Sequence, residues 1–382
     1  SHWDMGALSY LKVRGSVASV GMPFPRFLTV PTYEYDPTSK IWKDKTHYPI
    51  SDLKPERTLT YEVGLEMTFW QDLSLNLSWY LADTYNQTFD PLLPPSSSYT
   101  TIYLQTGNVR NTGVEASLGY GHDWNGFSWD SNFTFSWNRN EVLDLASNPV
   151  TGEPLDLDQL DIKALGKSKF ILKQGGTLGD LYTTSDIQTN DRGYIEIDEN
   201  GDIAITDEAD EIFLGTVFPK YKLAWRNDFS WKGLHLGILF SGRIGGVCYS
   251  ATQANLDLYG VSEASAAARD AGGVLVNGRE MMDAQKWYQA IGSQSGLPQY
   301  YTYSATNFRL QELSVGYTLP RKWFKNKMGL TLSLVGHNLW MIYCKAPFDP
   351  EAVASTGNNY QGIDYFMMPS LRRLGFNVKL DF

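Results

Sequence analysis

Residues 127–137 read FSWDSNFTFSW, and this stretch decides the fold. Its odd-numbered positions are apolar apart from one serine: Phe127, Trp129, Ser131, Phe133, Phe135 and Trp137. Its even-numbered positions are all polar: Ser128, Asp130, Asn132, Thr134 and Ser136. Successive side chains of a β-strand point to opposite faces of the sheet. The stretch therefore predicts a strand with one apolar face and one polar face.

The same alternation recurs in four further segments, at 61–69, 73–81, 221–231 and 374–382. Alternation alone is equally compatible with a soluble β-sandwich. The segments are longer than the five or six residues typical of soluble strands, however, and match the nine to eleven that a tilted membrane strand needs. Trp, Tyr and Phe gather at their ends, as in the aromatic girdles of membrane barrels. Together these features predict an all-β, transmembrane antiparallel β-barrel.

The spacing of the segments predicts ten strands, near 8–20, 58–69, 73–85, 101–121, 127–140, 220–231, 234–245, 307–319, 329–340 and 371–382. Short connections at 70–72, 122–126, 232–233 and 321–328 alternate with long ones at 21–57, 86–100, 141–219, 246–306 and 341–370. Outer-membrane barrels place short turns in the periplasm and long loops outside the cell. We therefore expect a periplasmic C-terminus.

Composition narrows the function. The net charge of −10 argues against nucleic acid as a partner. No apolar run approaches the roughly 20 residues of a membrane-spanning helix. Cys248 and Cys344 form neither a disulfide framework nor a metal-binding spacing. The first residues lack the features of a signal peptide, so we expect the chain to be part of a longer exported protein.

Several motifs carry a family resemblance. LKPE at 53–56 followed by YEVG at 61–64, and GNVRNTGVE at 107–115, resemble motifs of TonB-dependent transporters. Others resemble the SusC-like branch: GRIGG at 242–246, LYGVS at 258–262, ARDAGG at 268–273, FRLQELSVGY at 308–317, GHNLW at 336–340, DPE at 349–351 and the closing strand at 369–382. The motifs keep their order through nearly the whole chain.

The resemblance implies that residues 1–382 are the last ten strands of a barrel of about 22 strands. The plug domain and the TonB box would then be absent from this chain. Implied partners are the remainder of the barrel and plug, the TonB complex, membrane lipid, a SusD-like surface lipoprotein acting as a lid, and a glycan or peptide ligand. The implied function is active import of oligosaccharides or peptides across the outer membrane of a Gram-negative bacterium.

The five histidines are scattered and form no catalytic pattern, so no enzyme is predicted.

The implied import function suggests candidate residues for contact with the ligand. Aromatic residues of the long connections could stack on sugar rings or hold peptide side chains: Tyr33, Trp42, Tyr99, Tyr103, Trp287, Tyr288, Tyr300 and Tyr301. The alternative for each is packing within the loops or against the lid. The terminal Phe382 resembles the signal read by the outer-membrane assembly machinery.

Residues 198–207, DENGDIAITD, have the oxygen-bearing spacing of a calcium loop. Position twelve from Asp198 is Ala209, whereas an EF-hand has a glutamate there. A solvated acidic loop is therefore favoured over Ca²⁺ at Asp198, Asn200 and Asp202, and no cofactor is predicted.

Two alternatives to active import remain open for the whole chain: a passive porin or adhesion barrel, and a soluble all-β binding module.

Overall fold

The computed structural model describes most of the chain. The described residues are 7–24, 33–44, 47–48, 53–89, 99, 101–102, 104–105, 107–145, 159–163, 165–293, 295–355 and 361–382. Parts of all five predicted long connections, 21–57, 86–100, 141–219, 246–306 and 341–370, lie outside this set.

Ten long strands form one antiparallel sheet in which spatial order follows chain order. They are β1 (Leu8–Met22), β2 (Glu56–Phe69), β3 (Leu73–Tyr85), β4 (Val109–Trp124), β5 (Phe127–Val142), β6 (Tyr221–Trp231), β7 (Leu234–Ile244), β8 (Asn307–Leu319), β9 (Gly329–Cys344) and β10 (Arg373–Asp381). Each of the ten predicted strands is present. Within the described residues, β1 and β10 each pair on one side only.

The strand register collects polar side chains on one face and apolar ones on the other. Glu115 of β4 lies opposite Ser78 of β3 and Ser136 of β5. One residue earlier, Val114 lies between Trp79 and Trp137. A slip of one residue would exchange the two faces. The predicted alternation therefore runs across neighbouring strands as continuous rows.

Two of the short turns contain only two residues each. The β4–β5 turn is shorter than predicted, and the β6–β7 turn has the predicted length. The β4–β5 connection was predicted over 122–126, but pairing continues to Trp124 opposite Phe127, which leaves only Asn125 and Gly126. Both have positive φ, 51° and 98°. The β6–β7 turn consists of Lys232 and Gly233, again with positive φ, 47° and 89°. Two successive positive φ values define the type I′ turn, whose twist matches that of paired strands.

One predicted strand boundary is wrong. The segment 101–121 was predicted as one strand, but β4 begins only at Val109. Thr101–Ile102 and Leu104–Gln105 are separate two-residue strands that pair elsewhere. Asn108 instead accepts backbone hydrogen bonds from Leu143 and Asp144, at 2.7 and 3.3 Å. These bonds hold the approach to β4 against the segment that follows β5.

Aromatic rings line the apolar face near the short turns. Tyr120 contacts Trp129, with ring centroids 5.2 Å apart, and Trp129 stacks on Phe229 at 6.1 Å. Phe127 lies 5.8 Å from Trp124 and 6.3 Å from Phe229. Three adjacent strands thus share one band of rings, as predicted from the aromatic segment ends.

The described parts of two long connections contain regular secondary structure. One carries a four-stranded sheet of Gln159–Lys163, Lys169–Lys173, Asp180–Thr183 and Ile212–Thr216. Another carries three helices, α1 (Ala251–Leu258), α2 (Glu263–Asp270) and α3 (Ala284–Ile291). We call the described parts of the connections 165–220 and 245–306 the loop cap. None of its helices was predicted. No helix in the described residues is long and apolar enough to cross a membrane.

The main hydrophobic core lies in the connections and not on the sheet. Of its fully buried members, only Val109 and Val142 belong to long strands, and both stand at the strand end next to the loops. On the apolar face of the sheet, by contrast, Trp79 is 41% exposed, Phe133 39% and Val378 50%. This distribution is the reverse of a soluble sandwich, where the apolar face would be the buried one.

Candidate functional site

The polar face of the sheet carries ion pairs that join neighbouring strands. Arg14 of β1 donates to Glu66 of β2 at 2.6 Å and lies 3.5 Å from Glu62. The Ser78 hydroxyl of β3 accepts a further hydrogen bond from Arg14. A cavity of about 320 Å³ opens beside this network and is bordered on its far side by Lys222 of β6. Such a wall can hold water and polar solutes.

A second charged group lies on the same face. The Arg226 guanidinium donates two hydrogen bonds to Asp228, at 2.7 and 3.0 Å, and one to Glu312 at 3.5 Å. His337 of β9 approaches the other oxygen of Glu312 at 3.5 Å. Acidic and basic side chains therefore pair at two places on this wall, one on β1 and β2 and the other on β6, β8 and β9. The wall offers many weak polar contacts rather than one strong site.

The loop cap contains a cavity of about 280 Å³ between its three helices. Its lining combines two aromatic rings, a guanidinium, an amide and a carboxylate: Tyr259, Tyr288, Arg269, Gln285 and Asp257. Aromatic rings stack on apolar faces, and the planar polar groups donate and accept hydrogen bonds. A few polar groups in a concave, partly apolar pocket are the usual composition of a ligand site.

Asp257 is held rigidly at the base of this cavity. The buried Tyr301 donates its hydroxyl to one carboxylate oxygen at 2.8 Å, and the Ser262 hydroxyl donates to the other. Burial, reinforced by the neighbouring Asp257 carboxylate, raises the pKa of Tyr301 well above its ordinary value. Arg269 donates to the carbonyl of Gly260 at 2.8 Å, which fixes its guanidinium at the rim.

The structure brings some of the predicted aromatic residues together. Tyr288 lines the cavity and Tyr301 supports it from below. Trp287 and Tyr300 form an edge-to-face pair with centroids 6.0 Å apart. Trp42 lies in a separate hairpin, where it contacts Tyr35 at 5.2 Å and is 65% exposed.

The structure describes the other predicted contact residues only in part. Tyr33 begins the short strand Tyr33–Asp36, but its side chain lies outside the described part of the chain. Tyr99 is half-buried, and Tyr103 lies outside the described residues. Phe382 follows β10 and is 93% exposed. Ligand contact by these tyrosines and an assembly role for Phe382 stay predictions.

The acidic loop at 198–207 binds the side-chain ammonium group of Lys286. One Asp198 oxygen accepts the backbone N–H groups of Asp202 and Asn200, at 2.8 and 2.9 Å, and these bonds lower the pKa of Asp198. The Lys286 ammonium reaches the Asn200 carbonyl at 2.5 Å and the Asp202 carboxylate at 3.1 Å. The described residues include no cluster of three or more acidic, His or Cys side chains arranged for a metal. The loop's oxygens thus already hold an ammonium group.

Sequence reasoning missed Asp257 and Arg269. Both lie on short helices, and the only available signals were the helix caps. Ser250, Ser262 and Asp283 each accept a backbone N–H at the start of a helix. Such residues ahead of an apolar run indicate a helix start. Applied here, that rule would have predicted helices in a connection treated as a plain loop.

Comparison with known proteins identifies the family. Residues 10–339 match the family described as TonB dependent receptor-like, beta-barrel. The chain belongs to this family. Two TonB-dependent receptors of Formosa agariphila, P3 and P39, are 24% and 22% identical to it, each over 87% of this chain. The chain spans about a third of the length of these relatives, 35% and 36%.

A solved structure shows the same fold. The RagAB peptide transporter superposes on 98% of this TonB-dependent receptor barrel with a TM-score of 0.69, at 18% sequence identity. The chain covers 40% of that structure's chain. The predicted membership of the TonB-dependent receptors and the predicted barrel fold are both confirmed. The family consists of outer-membrane receptors and transporters rather than enzymes.

Proposed function

We propose that this chain is the C-terminal part of the barrel of a TonB-dependent importer that takes up oligosaccharides or peptides. Residues outside 1–382 would supply the earlier strands, the plug and the TonB box, and the greater length of the relatives leaves room for them. The barrel would lie in the outer membrane of a Gram-negative bacterium. Its short turns and C-terminus would face the periplasm, and its loop cap the outside.

The exposure of the apolar face of the sheet is the main observation behind this proposal. Its apolar face, with Trp79, Phe133 and Val378 exposed, suits lipid. Its polar face, with Arg14 and Arg226 in charged networks, suits a hydrated lumen. A barrel in a membrane needs the first on the outside and the second on the inside. A soluble binding module would need the opposite arrangement.

The cap cavity supports a ligand of the proposed class. Tyr259 and Tyr288 offer stacking surfaces, while Arg269 and Gln285 offer donors and an acceptor. These groups suit either a sugar ring or a peptide backbone, so the proposal retains both. Similarity to RagAB, a peptide transporter by its description, supports the peptide side. A SusD-like lipoprotein over the cap is part of the proposal.

Uptake by cells tests the proposal. Deleting the gene should abolish growth on one class of polymer-derived oligosaccharide or peptide, while growth on monosaccharides and free amino acids continues. The full-length gene should restore growth, and a protonophore should stop uptake because TonB needs an energised inner membrane. Uptake that persists with the protonophore would instead indicate a passive porin.

Two variants of the full-length protein locate the contact. Arg269→Gln combined with Gln285→Ala should raise the KM for uptake about thirtyfold, because each of the two lost hydrogen bonds weakens binding by about 1 kcal/mol. Arg279→Gln is the matched control. Arg279 lies in the same cap but contacts Tyr194, with its guanidinium 5.6 Å from the ring, and does not line the cavity. An equal effect of both changes would remove the cavity from the proposal.

A further inference from the structure

The β8–β9 connection concentrates positive charge. Residues 321–327 read RKWFKNK, with four basic residues and no acidic one, in a chain whose net charge is −10. A run of lysines is often no more than a solvated surface. This one is distinguished by its backbone, its exposure and its position at the end of the apolar rows. We call residues 321–327 the basic turn.

The backbone of the basic turn is fixed by its own hydrogen bonds. Arg321–Phe324 is a single 3₁₀ turn. Lys325 and Asn326 follow in the left-handed region, with φ of 54° and 60°. Their N–H groups donate to the carbonyls of Lys322 and Arg321, at 3.2 and 3.0 Å. Residues other than glycine rarely adopt this conformation, so the turn presents its side chains from a constrained scaffold.

The charges of the basic turn are exposed, and the described residues give them no acidic partner. Arg321, Lys322, Lys325 and Lys327 are all exposed, and none forms an ion pair within the described part of the chain. Trp323 stands among them with 69% of its surface exposed. The exposed tryptophan leaves apolar ring surface in water, whereas the cations are well hydrated, and both kinds of side chain are favoured where a bilayer meets water.

The location fits that boundary. The lipid-facing rows end beside the turn, where Leu330 of β9 lies opposite Leu380 of β10. The β2–β3 turn carries the acidic Asp72, and Asp123 lies in the last residues of β4 before the β4–β5 turn. The turn β6–β7 carries Lys232, whose ammonium lies 4.9 Å from the Trp231 ring centre. Positive charge therefore accumulates at the short-turn end of β6 to β10.

We propose that the basic turn binds the phosphate headgroups of anionic glycerophospholipids in the leaflet at the short-turn end. Guanidinium and ammonium groups donate charge-assisted hydrogen bonds to phosphate oxygens. Trp323 inserts at the level of the glycerol backbone, as interfacial tryptophans do. Each added cation near an anionic surface strengthens attachment about fivefold at low salt. Only the choice of leaflet rests on the proposed function.

Lipid binding by the full-length transporter in detergent tests this. Native mass spectrometry would count phosphatidylglycerol and phosphatidylcholine molecules bound during titration. We expect phosphatidylglycerol to bind at least about tenfold more tightly, and the preference to shrink in high salt. The variant Lys322→Gln, Lys325→Gln, Lys327→Gln should lose that preference. The control Lys40→Gln, Lys54→Gln, Lys345→Gln removes three exposed lysines on the loop side and should keep it.

Tryptophan variants give a second readout. Trp323→Ala should weaken binding of both lipids about threefold to tenfold, whereas Trp42→Ala, similarly exposed on the loop side, should not. Equal binding of the two lipids, or equal loss in the two lysine variants, would overturn the proposal. Unchanged phosphatidylglycerol binding by the turn variant would assign the turn to another partner, such as a periplasmic polypeptide. A protein that binds lipid this way but imports nothing would contradict only the proposed function.

Discussion

Arg309 of β8 has a side chain that is only 5% exposed, and its guanidinium donates two hydrogen bonds to Asp349, at 2.8 and 3.0 Å. Asn307 accepts further bonds from Arg309, and the Ser370 hydroxyl donates to Asp349. This group ties β8 to the connection that leads into β10. A buried ion pair is weak evidence for net stability, but removing one partner leaves a buried charge uncompensated.

Asp349→Asn should lower the free energy of unfolding by up to about 3–5 kcal/mol, because the buried Arg309 loses its buried carboxylate partner. Of its acidic partners Arg309 then keeps only the more exposed Glu351, which lies 3.4 Å away. Urea unfolding in detergent micelles, followed by intrinsic tryptophan fluorescence, would measure the loss. Asp228→Asn is the control, since the Arg226–Asp228 pair is 45% and 43% exposed and should change stability by less than about 1 kcal/mol. Similar losses for the two variants would contradict the assignment of burial as the cause.

The acid dependence of this group has a definite sign. Burial alone would raise the pKa of Asp349, but hydrogen bonds from Arg309 and Ser370 outweigh it and hold the pKa below its ordinary value. A carboxylate of this kind stabilises the folded state fully above its unfolded pKa of about 3.9. Its contribution is lost only as the pH falls through the lowered folded value. At neutral pH the ion pair is therefore intact.

At the scale of elements, the two-residue turns set the register of their hairpins. Gly126 and Gly233 occupy equivalent positions, and both have strongly positive φ. Their surroundings differ. A Cβ on Gly126 would have no heavy atom within 4 Å, whereas a Cβ on Gly233 would stand 2.7 Å from the Thr318 carbonyl oxygen. The β6–β7 turn is thus packed against β8, and the β4–β5 turn is open.

Gly233→Ala should therefore destabilise the barrel more than Gly126→Ala. Both changes carry the conformational cost of a side chain at positive φ, about 1–2 kcal/mol. Only Gly233→Ala adds a steric clash with β8, worth about another 1–3 kcal/mol. Comparing the urea midpoints of the two single variants in the same micelles would isolate the difference. Equal midpoints would show that β8 yields without cost.

The strands could be predicted because a barrel requires apolar and polar residues to alternate within each strand. Each strand must alternate regardless of its partners, so 73–85 and 127–140 were evident from their own residues. The start of β4 was not, because residues 101–105 continue the alternation in the sequence, whereas the described Thr101 and Gln105 pair outside the ten-stranded sheet. Its true beginning at Val109 depends on bonds to Leu143 and Asp144, which no local pattern reveals.

The candidate site was less accessible to sequence reasoning. Aromatic enrichment drew attention to Tyr288, which lines a cavity, but it could not distinguish a cavity-lining residue from one such as Tyr301, which hydrogen-bonds Asp257 behind the lining. Asp257 gained its role from residues distant in sequence. Lys286 lies 86 residues from Asn200, whose carbonyl it binds. Contacts between residues so far apart in sequence depend on how the long connections pack against one another. Local sequence patterns do not reveal this packing.

At the scale of the whole molecule, the sheet turns its apolar side outward. Phe133 of β5 lies on the exposed apolar face, in the row with Leu118 and Trp225. Its neighbour Thr134 lies on the polar face, opposite Ser117 and Ala224. This adjacent pair on one strand samples the two proposed environments at nearly equal depth.

Phe133→Arg should reduce folded protein in the outer membrane sharply, because a lipid-facing arginine near the midplane costs about 2–4 kcal/mol. Thr134→Arg places the same side chain in the hydrated lumen and should cost little. The folded fraction in isolated membranes, seen as a heat-modifiable gel shift, would compare them. If Thr134→Arg proved the more damaging, the two faces would have to be exchanged and the importer proposal abandoned.

The core residues Val109 and Val142 mark where strands β4 and β5 reach the hydrophobic core that they share with the loop cap. Each strand has 16 residues, more than the nine to eleven needed to span the bilayer. The hairpin would therefore extend beyond the lipid as a hydrogen-bonded ribbon whose end packs in the core of the loop cap. In the proposed importer, a solute arriving from outside would meet a surface already in its binding shape. Little conformational entropy would then be lost on capture, and weak contacts would suffice to retain the solute.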